Sequence, residues 1–205
     1  MRQTRRLLPF CFAAAAALGF LTRAADAPVG HRPRYTGAGL LEAPKDFRSW
    51  VFVGADLAPD FRSSGTESRQ ATNAAESKTP KKNDVFHNIY INRESYEAYN
   101  RTGTFPDPTM LVLEVFSTEE KELNGVPTGI RFASKRIALW AAVKDRSRPG
   151  GGVPWAYYSF QLDDKSRPTK PAKSFPDASC YDCHLKHASK DNVWVQFYPT
   201  LRDPE

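Results

Sequence analysis

Two cysteines and two histidines fall within eight residues of this chain, in ASCYDCHLKH over 178–187, although all 205 residues hold three cysteines and four histidines. Thioether attachment of a haem needs two thiols spaced to meet two vinyl groups, with a histidine beside the second thiol to reach the iron from the same side. Cys180, Cys183 and His184 meet that specification in full, and His184 would then be the metal ligand. Two other chemistries compete. Cys180, Cys183, His184 and His187 are four donors of the type zinc takes, but structural zinc sites usually draw their ligand pairs from two separated pieces of chain. A redox dithiol normally follows the first strand of a βαβ unit, whereas this pair lies near the C-terminus. We prefer one covalent haem c. His187 is then an exposed residue one helical turn beyond the ligand, or a partner of a haem propionate.

What such a haem does is decided on the far side of the iron. A strong sixth ligand, Met or His, makes an electron carrier, whereas an open position admits small molecules. The methionines are Met1 and Met110, and Met110 opens a strand, where it is more often core than ligand. Small helical cytochromes c usually carry the attachment motif near the start of the chain. Here it lies near the end, which argues against that electron-carrier fold.

The N-terminus bears on where the haem is attached. Arg2, Arg5 and Arg6 precede an apolar run from Leu7 to Leu21 and small residues around Ala24 to Ala27. This pattern predicts a secretory signal at 1–24, cut after Ala24 or as late as Ala27, and hence an exported, periplasmic protein. The apolar run is shorter than the ~20 residues of a membrane-spanning helix. Loss of four arginines with the signal leaves 25 basic residues against 23 acidic, so nucleic-acid binding has no compositional support. Cys11 leaves too, and no disulfide framework remains to hold the fold.

The elements that must position the motif follow. Residues 28–43 are punctuated by Pro and Gly and predict an extended lead-in, with no role for His31. PKDFRSW predicts a short helix from Pro44, feeding a strand WVFVGADL. Residues 63–84 hold almost no large apolar side chain and predict a mobile loop. VFHNIYIN alternates Val85, His87, Ile89 and Ile91 on one face. RESYEAYNRTG predicts a helix ended by Gly103. MLVLEVFS, IRFASKRIALWAAVKD and WAYYSFQL predict further strands. Strands joined by short helices and turns make an α+β single domain rich in antiparallel sheet, with a C-terminal haem attachment.

The order PKDFRSWVFVG, NIYINRESYEAYNRTGTFPDPTMLVLEV, AAVKD, CYDCH and VWVQFYPTLR, over residues 44–203, resembles the cytochrome P-460 and cytochrome c′-beta family. The resemblance implies an antiparallel, commonly dimeric fold with one c-type haem bound by the motif histidine and a distal pocket facing the sheet. One branch of that family oxidises hydroxylamine; the other binds nitric oxide and carbon monoxide. The oxidising branch places a haem-cross-linking lysine immediately before a glutamate, where this chain has Leu113 before Glu114. Its acidic distal residue falls on Trp140 and a distal arginine on His87. Leucine has no amine to bond the macrocycle and indole cannot act as a base, so hydroxylamine oxidation is disfavoured.

The residues themselves are consistent with a haem wall. Trp140 shares its strand face with Ala138 and Ala142, which leave space beside the indole for a planar ligand; packing in an ordinary core is the alternative. His87, on the apolar face of its strand, is a core residue, a hydrogen-bond donor to a bound ligand, or a sixth iron ligand. The expectation is an exported monohaem cytochrome of the c′-beta kind, binding a small diatomic gas such as nitric oxide. Its expected partners are a second copy of itself and a redox partner protein. Oxidation of hydroxylamine or a related nitrogen compound, and simple electron transfer through a six-coordinate haem, are the alternatives.

Overall fold

Strand β3 (Thr109–Lys121) is the centre of a five-stranded sheet whose other members are β1 (Val51–Pro59), β2 (Asp84–Ile91), β4 (Ile130–Lys144) and β5 (Trp155–Phe160). The strands lie side by side in chain order and every pairing is antiparallel, as expected of the α+β reading. Among the described residues three α-helices accompany the sheet: α1 (Arg93–Thr102), α2 (Tyr181–His187) and α3 (Pro199–Arg202). The computed structural model describes residues 31–59, 84–122, 124–125 and 129–203. The expected signal at 1–24, and the expected loop at 63–84 apart from Asp84, lie outside the described residues.

Alternation along each strand fixes two faces. Cross-strand partners share a face, so Ile91, Leu111, Ala142 and Tyr157 form one row across β2 to β5. Ile89, Leu113, Trp140 and Ser159 form the next row, and His87, Val115 and Ala138 the one after. Residues after β5 cover the first row, where Val193, Val195 and Leu201 join Ile91, Leu111, Tyr157, Tyr99 and Phe105 in one cluster. The opposite face carries Met110, Val112, Leu139, Val143 and Tyr158, packed under Leu41, Phe47, Trp50 and Ala172. The sheet is therefore buried on both sides. The lead-in takes part: Leu41 is fully buried and exchanges backbone hydrogen bonds with Ala172, 2.9 Å each way.

Local sequence accounts for the turns. Gly103 ends α1 in the left-handed conformation (φ 67°), its N–H donating to the Tyr99 carbonyl at 2.7 Å. Asn92 begins the same helix, and its side-chain oxygen accepts the Met110 N–H at 2.9 Å, tying α1 to the first residues of β3. PKDFRSW differs from expectation. Asp46 takes a left-handed backbone (φ 54°), which interrupts a helix from Pro44 and leaves a single tight turn at Phe47–Ser49. At Gly54, beside a register shift in β1, a Cβ would meet the Tyr198 ring at 3.2 Å, closer than side chains ordinarily pack, so glycine suits the close approach of the C-terminal segment.

Candidate functional site

Helix α2 starts immediately after Cys180 and brings three reactive side chains to one side. Cys183 and His184 lie three and four residues beyond Cys180, the spacing that stacks side chains on one helix face. Cys180 is half-buried and Cys183 exposed, and no disulfide joins them. Burial, then the neighbouring Cys183, pushes the Cys180 thiol up from its ordinary value, the opposite of what an attacking redox dithiol needs. The four donors of the zinc alternative do not converge: among the described residues no three Cys, His, Asp or Glu side chains gather as a metal-ligand group.

His184 is held from three directions. Its Nδ1 lies 2.8 Å from the Asn192 carbonyl oxygen, which can only accept, so Nδ1 carries the proton and Nε2 the lone pair. The Trp194 indole N–H donates to that lone pair at 3.3 Å. The ring lies over Tyr157 with 4.4 Å between centroids and meets Trp194 edge-on at 5.2 Å. Burial lowers the His184 pKa below its usual value, which keeps the imidazole neutral and able to coordinate.

Behind the histidine is a second set of contacts. Asp191 and Asn192 both have positive φ, 45° and 61°. Lys144, at the end of β4, donates from Nζ to Asp191 Oδ2 and to the Phe105 carbonyl, 2.7 Å each. Trp155 Nε1 donates to Asp191 Oδ1 at 3.1 Å, and Asn192 Nδ2 to the Tyr181 carbonyl at 3.3 Å. The Tyr157 hydroxyl donates to the Asn192 carbonyl at 3.3 Å, so that oxygen serves two donors.

The residues read as a wall lie on the sheet face that carries Tyr157. Leu113 and Trp140 are direct cross-strand partners, and Trp140 is a diagonal neighbour of Tyr157, a relation that places backbones about 7–8 Å apart. Leu113, Trp140 and Ala142 are half-buried, whereas Leu111, Val115 and Ala138 beside them are buried. Leu113 packs against both clusters of this face, and Cys180 and Ala142 pack on one of them. His87 shares the face but stands apart: three strand spacings and four residues separate it from Tyr157, roughly 20 Å at ordinary sheet spacings. It is buried, and its Nδ1 lies 2.6 Å from Asp56 Oδ1 on β1. Met110 is buried on the other side of the sheet from His184. His187 is exposed at the end of α2, as expected.

Reading residue types missed Asn192, Tyr157, Trp194 and Asp56. Asn192 contributes through its backbone, which no side-chain pattern reveals, although an Asp-Asn pair is a known site of left-handed backbone. A comparison with curated proteins finds no match. The family model Cytochrome P460 matches residues 44–195, from the approach to β1 through the motif and the Asn192 turn, and the chain belongs to that family of haem c proteins.

Proposed function

We propose that the chain is an exported, periplasmic cytochrome of the c′-beta kind that binds a small diatomic gas, nitric oxide foremost. One haem c would be held through thioethers to Cys180 and Cys183, with His184 on the iron. The observation that carries this reading is the His184 imidazole, pinned at Nδ1 by the Asn192 carbonyl with Nε2 left to accept, over the sheet face that carries the half-buried apolar Leu113, Trp140 and Ala142. The donor set fits the group. Two thiols and an imidazole share a helix face, and the Nε2 lone pair already accepts a hydrogen bond, from Trp194, which must give it up to a metal.

When bound, the haem supplies an iron that takes a neutral ligand without proton transfer. The chain's own residues orient His184 through Asn192, cover its ring with Tyr157, and line the nearby sheet with hydrocarbon and indole. A surface of that kind favours an uncharged diatomic over a charged or strongly hydrated substrate. Leu113 and Trp140 offer neither amine nor carboxylate for the chemistry of the oxidising branch. A homodimer and a redox partner protein are proposed on the resemblance, and the periplasm on the N-terminal pattern.

The second reading is oxidation of hydroxylamine or a related nitrogen compound. His87 paired to Asp56 at 2.6 Å is a carboxylate-backed imidazole, but roughly 20 Å along the sheet from Tyr157 it is out of hydrogen-bond reach of a substrate beside His184. Optical spectra of the dithionite-reduced holoprotein, with and without carbon monoxide, test the first reading. A five-coordinate high-spin ferrous haem that shifts with the gas is expected. A six-coordinate low-spin spectrum indifferent to carbon monoxide overturns gas binding and makes electron transfer the function.

A further inference from the structure

The Asn192 carbonyl is shared between two donors, His184 Nδ1 at 2.8 Å and the Tyr157 hydroxyl at 3.3 Å. A hydrogen bond from the proximal imidazole to an acceptor raises the basicity of its other nitrogen, and with it the electron density given to a metal. A second donor on the same oxygen withdraws part of that acceptor strength. The oxygen is also held where a relaxed chain would not put it. Asp191 and Asn192 are consecutive left-handed residues, and Lys144 reaches from the end of β4 to fasten Asp191 to the Phe105 carbonyl. Trp155 grips the other carboxylate oxygen of Asp191. Lys144 and Asp191 are 47 residues apart in sequence, so the tie joins the sheet to the segment behind the haem motif.

From this geometry we infer that Tyr157 and the Lys144–Asp191 pair are opposed positioning residues for the proximal ligand: the pair presses the Asn192 carbonyl onto His184, and the Tyr157 hydroxyl weakens it. The inference rests on His184 being the iron ligand. The Tyr157 hydroxyl faces a carbonyl oxygen, which can only accept, so it acts there as a donor. Removing that hydroxyl leaves the carbonyl to His184 alone; removing Lys144 frees the turn and draws the carbonyl away. The two changes act on one oxygen with opposite sign.

The test uses haem-loaded protein, the reduction potential, and the iron–histidine stretching band of the reduced, ligand-free form. Tyr157→Phe is expected to raise the band frequency and lower the potential, because a more basic imidazole favours ferric iron. Lys144→Met is expected to lower the frequency and raise the potential. Asp191→Asn, which keeps shape and weakens the ion pair, should move both in the direction of Lys144→Met by less, and it stands in should Lys144→Met fail to load haem. Shifts of the same sign in Tyr157→Phe and Asp191→Asn, or no shift in either, overturn the inference. A general loss of packing would lower thermal stability without producing opposite spectroscopic signs. Absence of an iron–histidine band in the unmodified reduced protein would instead sink the assignment of His184.

Discussion

Glu114 is 1% exposed, and it lies on the sheet face opposite the candidate site. Arg48 donates to it from Nε at 3.1 and 3.2 Å and from Nη2 at 2.7 Å, and Arg136 donates from Nη1 at 2.7 Å. The two arginines are unequal: 61% of the Arg48 side chain is exposed against 14% for Arg136. Stripping one partner from a buried ion pair costs about 3–5 kcal/mol, because the remaining charge is left uncompensated, whereas exposed pairs are worth about 0–1 kcal/mol. Glu114→Ala removes the carboxylate partner of the largely buried Arg136, so it belongs in the first range, and Arg48→Ala in the second. For a domain of this size about 1 kcal/mol moves the melting temperature by about 2–4 °C. Thermal denaturation of the holoprotein should therefore fall by about 6–20 °C for Glu114→Ala and by no more than about 4 °C for Arg48→Ala. The haem spectrum of either variant should match that of the unmodified protein. A Glu114→Ala melt no lower than that of Arg48→Ala would refute the assignment of Arg136 as the critical partner, and an altered spectrum would refute the separation of the two faces.

Cys183→Ala should leave a denatured chain that keeps its haem through Cys180 alone. The pyridine haemochrome band should then move to the red, as one vinyl group remains unsaturated; an unmoved band would show that Cys183 forms no thioether. His87→Phe should leave the reduced protein's spin state unchanged, because His87 stands far along the face from Tyr157, and a low-spin to high-spin change in this variant would place His87 on the iron. Gly54→Ala should cost about 1–3 kcal/mol in urea denaturation, as the new Cβ must displace Tyr198 from 3.2 Å; an unchanged midpoint would mean the C-terminal segment yields freely.

The motif was legible because its chemistry lies in residue types at fixed spacing, whereas His87, Leu113 and Trp140 were brought together by the family resemblance, alternation setting only which neighbours within one strand share a face. The support of His184 was not legible. Asn192 acts through a carbonyl, Tyr157 reads as one more apolar strand residue, and Lys144 looks like the charged end of a strand although it donates into the protein interior. Nor does alternation distinguish a core face from a solvent face in a sheet covered on both sides, which hides the burial of Glu114.

That double covering also separates two neighbours that the family resemblance treats as a unit. Leu113 and Glu114 are consecutive, so their side chains leave β3 on opposite faces, one toward Trp140 and the haem motif, the other into the arginine pair. Leu113 is half-buried, and a lysine there can lay its stem along the apolar floor and carry its amine outward. Leu113→Lys is thus expected to change the site without unsettling the Glu114 cluster. In urea denaturation its cost should add to that of Glu114→Ala within about 0.5 kcal/mol, the behaviour of independent positions, despite the adjacency in sequence. A coupling energy above about 1 kcal/mol would mean that the sheet transmits strain between its faces. Additive costs, together with a shifted haem spectrum in Leu113→Lys alone, would show that this position can vary in chemistry while its neighbour holds the fold.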